Sequence, residues 1–475
     1  MEFRKLHRWW HRPCGGREVL ALAGPLVIST MSFTVMTFID RMFLTHCSLD
    51  AVAAAMPAAM LQFTIISFPL GVATYVNTFV AQYHGAQRPR QIGPIVWQGV
   101  WIGLLAIPLL LLTSPLAHAY FAWAHHEPHV IKLEITYYDV LIYGSGAVIL
   151  AGALSSFFTG RGATRVVMAV DSLAALLNGL LAWLWIFGHW GFPRWEIAGA
   201  GAATVCAEWF RVLGYAAVMT APRYRKYHLL AGWRFRAGLM RQLWTYAAPG
   251  GLQWLVECGS FTLFITIVGG LGTLPQAATM LAFNVNSVAW VPMMGMGLAV
   301  STLVGQQLGG NRPDMAARAA WTAFLLAMCY MCSMSLFYLS VPDWFLMGHA
   351  AGMDPAKFGP LRDQIVILLR FVAVYCLFDA MNVVFMSAIR GAGDTRFVLC
   401  TSLGTSLVPL GLAWLGIYHW HQGLYWCWTL ITLWVCSAGF IYLARFLQGR
   451  WRSMRVIEPE LLIAASTPPE LETEG

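Results

Sequence analysis

Charge is what this chain has least of. Lys, Arg, Asp and Glu make up 11% of 475 residues, against 58% hydrophobic ones, and the mean hydropathy is +0.62. A water-soluble multidomain protein of this length is thereby excluded. Also missing is the two-residue alternation that a transmembrane barrel requires. The first seventeen residues are basic and aromatic (Arg4, Lys5, Arg8, Trp9, Trp10, Arg12, Arg17), and the apolar run behind them is span-length, so they read as a cytoplasmic start rather than a cleavable signal. Of ten cysteines only Cys47 falls near an expected external loop, which leaves no disulfide framework. Cys329 and Cys332 form a CxxC inside an apolar run without further ligands and read as small packing residues.

Enzyme signatures are scarce as well. His125, His126 and His129 gather with Glu127 in an external loop, but Pro128 interrupts a helical HxxxH spacing, so a solvated loop is expected there. Gly391, Gly393 and Asp394 have no preceding strand, which rules out a dinucleotide or phosphate loop. No nucleophile stands beside a base in any local motif. The sequence therefore predicts no enzyme, no cofactor and no nucleic-acid partner.

What is abundant is apolar sequence in span-length pieces, each able to satisfy its own backbone across a hydrocarbon layer of roughly 30 Å. The pattern predicts an all-α membrane protein of about twelve spans, at 18–45, 52–82, 93–115, 130–157, 166–189, 197–220, 245–269, 276–308, 316–340, 361–388, 397–418 and 423–446. Pro57, Pro69, Gly71, Pro292, Gly295 and Gly297 predict bends in the second and eighth. The net charge of +8 is not spread evenly. Basic residues fall on alternate connections (Arg88 and Arg90, Arg161 and Arg165, Arg223 to Arg241, Arg312 and Arg318, Arg390 and Arg396, Arg445 to Arg455), while the opposite side keeps Lys132, Arg194, Lys357 and Arg362. By the positive-inside rule both termini are cytoplasmic, in an inner membrane. The expected organisation is a basic segment 1–17, an N-terminal lobe 18–221, a linker 222–244, a C-terminal lobe 245–449 and an acidic tail 450–475 too polar to bury a core.

The halves repeat one plan. VAQYHGAQRP from Val80 matches VGQQLGGNRP from Val304, and the same offset pairs Pro25 with Pro249 and Gly71 with Gly295. TGRGATR from Thr159 matches AIRGAGDTR from Ala388 at a slightly different offset. Six spans return a chain to its starting side, so the halves are parallel repeats: two pseudo-symmetric six-helix lobes about an axis along the membrane normal, with a central cleft between them. One chain supplies both lobes, and a monomer is expected.

Against this background the intramembrane acids stand out, since each costs on the order of +2.5 to +3.5 kcal/mol to insert. Asp40 continues a stripe with Thr37, Thr34 and Thr30; Glu257 follows Gln253 by one turn; Tyr375, Asp379 and Asn382 stand at i, i+4 and i+7. These suit the wall of a water-filled cavity. For Asp40 a pair with Arg41 or simple contact with water is the plainer alternative, and Glu208 with Arg211 reads as a local ion pair. Carboxylates in low dielectric take a proton near neutral pH, or hold Na+ with Tyr and Asn oxygens; spacing leaves both open. The 22 Trp, 27 Phe and 22 Met residues fit interfacial belts and lipid-facing surface first, and a pocket for flat cations second.

Several segments in order resemble the multidrug and toxic compound extrusion (MATE) family: LALAGPLVIST into FIDRMFL, VAQYHGAQRP, Asn178 followed by IAGAGAATVCAE, LQWLVECGSF, VGQQLGGNRP, and YCLFDAMNVVFMSAIRGAGDTR. The resemblance covers nearly the whole chain and points to the bacterial norfloxacin-exporter branch. It implies rocker-switch antiport of small cationic amphipathic compounds against Na+ or H+. It further implies a cation site at Glu257, Tyr375 and Asp379, with Glu257 and Asp379 as metal ligands should the ion be Na+, and a role for Asp40 in the other lobe. Asn178 matches the family's fifth-helix Asn, but the position four residues later, acidic in some members, is Ala182. Gln253, Asn178, Asn284, Asn382 and Thr37 are the polar residues expected to line the cleft or meet substrate. A lipid-linked saccharide flippase of the same superfamily is the alternative in mechanism, although no intramembrane Arg cluster suits a pyrophosphate. A membrane-embedded transferase is the more distant rival.

Overall fold

The computed structural model of the protein describes residues 2–123, 127–229, 231–350 and 355–457. The acidic tail from 458 onward, and His125 and His126, lie outside the described residues. The helices are α1 (Glu2–His11), α2 (Gly16–Thr45), α3 (Leu49–Thr74), α4 (Val76–Gly85), α5 (Pro89–Leu111), α6 (Ser114–Trp123), α7 (Pro128–Gly160), α8 (Thr164–Phe187), α9 (Glu196–Met219), α10 (Ala237–Gly269), α11 (Thr273–Gly309), α12 (Pro313–Ser340), α13 (Pro342–Ala350), α14 (Pro355–Ala392), α15 (Thr395–Tyr418) and α16 (Leu424–Leu447). No strand occurs among the described residues.

Among the described residues eleven helical stretches are long and apolar enough to cross a membrane, α3 and α4 counting as one. The expected sixth span, α9, has the length but not the hydropathy, because Gly199, Gly201, Glu208 and Arg211 dilute it. It packs on α7 and α8, and Ala200, Ala203 and Ala207 are fully buried there. The second expected span breaks at Tyr75 rather than at Pro69. Just before the break, the Thr74 hydroxyl donates back toward the Leu70 and Gly71 carbonyls at 2.9 and 3.3 Å, competing with the helix's own bonds. Its counterpart α11 runs unbroken through Pro292.

Two short helices were not legible in the sequence. Both α6 and α13 sit at the same place in their half of the chain, after the third and ninth expected spans. Each is tied to the helix that follows: His118 Nε2 meets Asp139 at 2.9 Å beside Ser114, and Arg362 donates to both oxygens of Asp343 at 2.5 and 2.7 Å. α10 also starts at Ala237, earlier than expected, because Met240 and Leu243 of its first turns are buried. Cys329 and Cys332 are free and exposed on α12, so they face outward instead of packing in the core.

By Cα proximity the chain forms two compact units. One takes residues up to Val27, Val256–Val304 and Asp314–Met454; the other takes Ile28–Leu255, Gly305–Pro313 and the segment from Arg455. In the second unit α7 is the hub, packed on α3, α5 and α9. In the first, α16 packs on α14 and α15. The repeated motif explains itself within the second unit. A Cβ on Gly85 would lie 1.9 Å from the Gln306 carbonyl oxygen, and one on Gly309 would lie 2.0 Å from that of Gln82. Gln82/Gln306 and Gly85/Gly309 are matched positions, so each copy rests its glycine on the other copy's glutamine backbone.

Candidate functional site

Each unit carries its own cluster of acids. In the unit built on α7, Asp40 of α2 is 5% exposed and Asn178 of α8 is wholly buried. Asn178 Nδ2 lies 3.4 Å from Asp40 Oδ2, and Thr204 Oγ1 of α9 lies 3.1 Å from the same oxygen. That hydroxyl stands equally 3.1 Å from its own helix's Ala200 carbonyl, and it has one proton to give. Asp40 Oδ1 and Asn178 Oδ1 are buried without a hydrogen-bond partner. Two acceptor oxygens so placed call for a further proton or a small cation. The alternative pairing of Asp40 with Arg41 is not found: among the described residues Arg41 is in no ion pair.

Toward the other end of α8 is a network that sequence reasoning found only in part. Glu208 and Arg211 do pair, at 2.7 Å. Arg211 also reaches Asp171 at 2.9 Å, Tyr215 Oη donates to the same Asp171 oxygen at 2.6 Å, and Ser29 donates to the other. The sequence signal for Asp171 is an acid in an apolar run with no Lys or Arg within four residues on its own helix.

In the other unit Glu257 of α10 is half-buried and accepts from Ser402 Oγ of α15 at 3.1 Å; Ser402 in turn meets Tyr442 Oη of α16 at 3.3 Å. Asp379 of α14 is 8% exposed, accepts from Asn382 Nδ2 at 3.4 Å, and lies within electrostatic reach of Glu257. Tyr375 is buried one turn earlier, within reach of Asp379. Cys376 contacts Asn286 Oδ1 of α11 at 3.7 Å. The structure therefore brings Glu257, Asp379, Tyr375 and Asn382 into one neighbourhood, and adds Ser402, Tyr442 and Asn286. Their contributions could not be read from the sequence, since a lone Ser or Tyr in an apolar helix gives no register relative to an acid some 145 residues away.

Other candidates sit apart. Thr37 is half-buried, and its hydroxyl donates to its own helix at Phe33. Asn284 is exposed; Asn286, two residues on, is the α11 amide that turns inward. Gln253 is buried on α10. Among the described residues no three His, Cys, Asp or Glu side chains gather as a transition-metal site would need. A hard monovalent ion would instead draw on one or two carboxylates with hydroxyl and amide oxygens, which both clusters provide.

A bundle of span-length helices with carboxylates buried in its interior is the build of a membrane transport protein. The MatE family model matches residues 25–184 and 249–415, and the chain belongs to that family. Among curated relatives it is similar to a probable multidrug resistance protein NorM of Brucella suis, 27% identical over 86% of this chain and 87% of that one. The multidrug resistance protein PmpM of Pseudomonas aeruginosa is 28% identical over 86% and 85%. Among solved structures it is similar to an outward-facing multidrug resistance MATE family transporter of the MOP superfamily, with a TM-score of 0.83, 16% identity, and 97% and 98% of the two chains covered. A MOP superfamily transporter from Pyrococcus furiosus matches at a TM-score of 0.82 and 17% identity, with 97% and 98% covered. At such identities the structures speak for the fold.

Proposed function

We propose that the protein is a secondary antiporter that exports small, cationic amphipathic compounds in exchange for Na+ or H+, by rocker-switch alternating access. The lobes would be 18–221 and 245–449, joined by 222–244, in a cytoplasmic membrane with both termini inside. Family membership and the multidrug resistance named for the relatives support the class of cargo. The observation that carries the exchange is that Asp40 and Asp379 are buried in the spans with no Lys or Arg in an ion pair to either among the described residues. A buried carboxylate without a base is costly until a proton or cation joins it, so the acids bind the driving ion, and the pair Glu257 and Asp379 can exchange it for a cationic solute. Each charge moved across 100 mV supplies about 2.3 kcal/mol, or nearly two decades of concentration ratio.

Arg211 supports a cationic rather than an anionic cargo. It is held by Asp171 and Glu208, which leaves its charge already answered before any pyrophosphate arrives. The test is efflux of a fluorescent cationic dye from proteoliposomes under a Na+ gradient and, separately, a pH gradient. Loss of gradient-driven efflux in E257Q and D379N is expected; wild-type rates in both would refute the assignment.

A further inference from the structure

The connection between the sixth and seventh expected spans does more than join them. Residues 222–227 form a 3-10 turn whose Tyr224 and Tyr227 rings take the Arg161 guanidinium at 4.7 and 4.5 Å, with Phe157 at 3.8 Å. From there the chain is laid along the start of α5. Trp97 Nε1 donates to the Leu229 carbonyl at 2.6 Å, Trp101 Nε1 to that of Trp233 at 2.9 Å, and the Arg236 amide to Gln98 Oε1 at 3.3 Å. The two backbones touch: a Cβ on Gly93 would lie 2.4 Å from the Tyr227 carbonyl oxygen, and one on Gly232 would lie 2.8 Å from Pro94 N. These contacts frame a cavity of about 220 Å³ lined by Arg90, Gln91, Pro94, His228, Gly232 and Arg236.

Its charge is one-sided. Arg90, His228 and Arg236 all border it, and none is in an ion pair among the described residues. The reason lies in the sequence: neither 51–126 nor 209–256, which supply every lining residue, contains a single Asp or Glu. Two long helices, α5 and α10, begin at the cavity with Pro89 and Ala237, adding the positive ends of their dipoles. Arginine forks and helix N-termini together suit a phosphate, which Arg binds through two parallel N–H donors.

The surroundings identify where that phosphate comes from. The cavity sits at the ends of membrane spans on the side of the basic loops, and Trp233 and Phe235 beside it are 55% and 54% exposed, as side chains at headgroup depth are. We propose that this cavity binds the phosphate of an acidic phospholipid headgroup, held between Arg90 and Arg236 with His228 as a further donor. The site is separate from both acid clusters and stands whether or not the proposed antiport does.

Native mass spectrometry of the full chain in detergent, with phosphatidylglycerol or phosphatidylcholine of the same acyl chains, tests it. Wild type is expected to retain phosphatidylglycerol selectively. R90Q/R236Q is expected to retain it at least about tenfold less, the scale of losing hydrogen bonds to a charged group. R223Q/R225Q removes the same charge from the same segment outside the cavity and should retain it as wild type does. If R90Q/R236Q does not fold, H228Q/R236Q takes its place. Equal retention of the two lipids by wild type, or equal losses in the cavity and control variants, overturns the site. Complete displacement of phosphatidylglycerol by millimolar inorganic phosphate overturns the lipid as occupant.

Discussion

In the first half of the chain Gly85 rests on the backbone of Gln306; in the second Gly309 rests on that of Gln82. The acids show no such correspondence. Asp40 is one carboxylate with an amide and a hydroxyl around it, whereas Glu257 and Asp379 are two carboxylates within reach of each other. Backbone contact has one solution, close approach at a residue without a Cβ, and a duplicated chain keeps it in both copies. Charge is different, because a single carboxylate is fully answered by one ion, while two coupled ones keep a negative charge after the first ion binds. Under the proposed exchange the first cluster serves the driving ion alone, and the second can hold an ion or a cationic solute.

The largest effects should come from the shared backbone. G85V and G309V each drive a side chain into a carbonyl oxygen at under 2.1 Å, and each is expected to lose most folded protein, a destabilisation above about 4 kcal/mol. Detergent melting curves of the pair check the symmetry: if one is tolerated and the other is not, the two crossings are not equivalent. Next come the acids. E257Q and D379N should lower both ion-driven efflux and dye affinity at least about tenfold, while D40N lowers ion-driven efflux and leaves dye affinity near wild type. Equal loss of dye affinity in D40N would erase the division of labour. Smaller again are the hydroxyl neighbours. T204V and S402A should shift the ion concentration for half-maximal efflux about three- to tenfold, the net worth of one ordinary hydrogen bond. Ion titrations that show no shift in T204V would mean that the Thr204 proton stays on the Ala200 carbonyl.

The elements were legible where one physical signal fixed them. Apolar length set the spans, alternate basic connections set their expected orientation, and the matched Gln and Gly positions marked the repeat, though not the crossing they make. α9 fell short in hydropathy because Gly199, Gly201 and the Glu208–Arg211 pair lie within it, and the sequence shows it as a span only through its length and its place, paired with α8, between two basic connections. The acids themselves were visible because burying charge in a span is rare. Their partners were not: Thr204, Ser402 and Tyr442 come from distant helices, and an exposed Asn284 beside an inward Asn286 shows that even a correct helix leaves its rotation open. Asp171 is an acid in a span like the others, but nothing in the sequence shows that it shares Arg211 with Glu208.

The smallest expected effect separates the two short helices. α6 is tied to α7 through a His–Asp contact, and α13 to α14 through Arg362 and Asp343. The Arg362 guanidinium, by hydrogen bonding, holds the Asp343 carboxyl below the usual carboxylate range. A carboxyl with a depressed folded pKa stabilises the docked helix at pH above its unfolded value, and that contribution fades as pH falls through the folded one. Asp343 is exposed, so solvent screens the pair and the effect stays small. Hydrogen exchange in α13, corrected for intrinsic rates, should therefore be slowest at neutral pH and quicken modestly on acidification below the carboxylate range. D343N should remove that dependence and leave protection in α6 unchanged. An unaltered acid dependence in D343N would show that α13 is held by its packing and not by the ion pair.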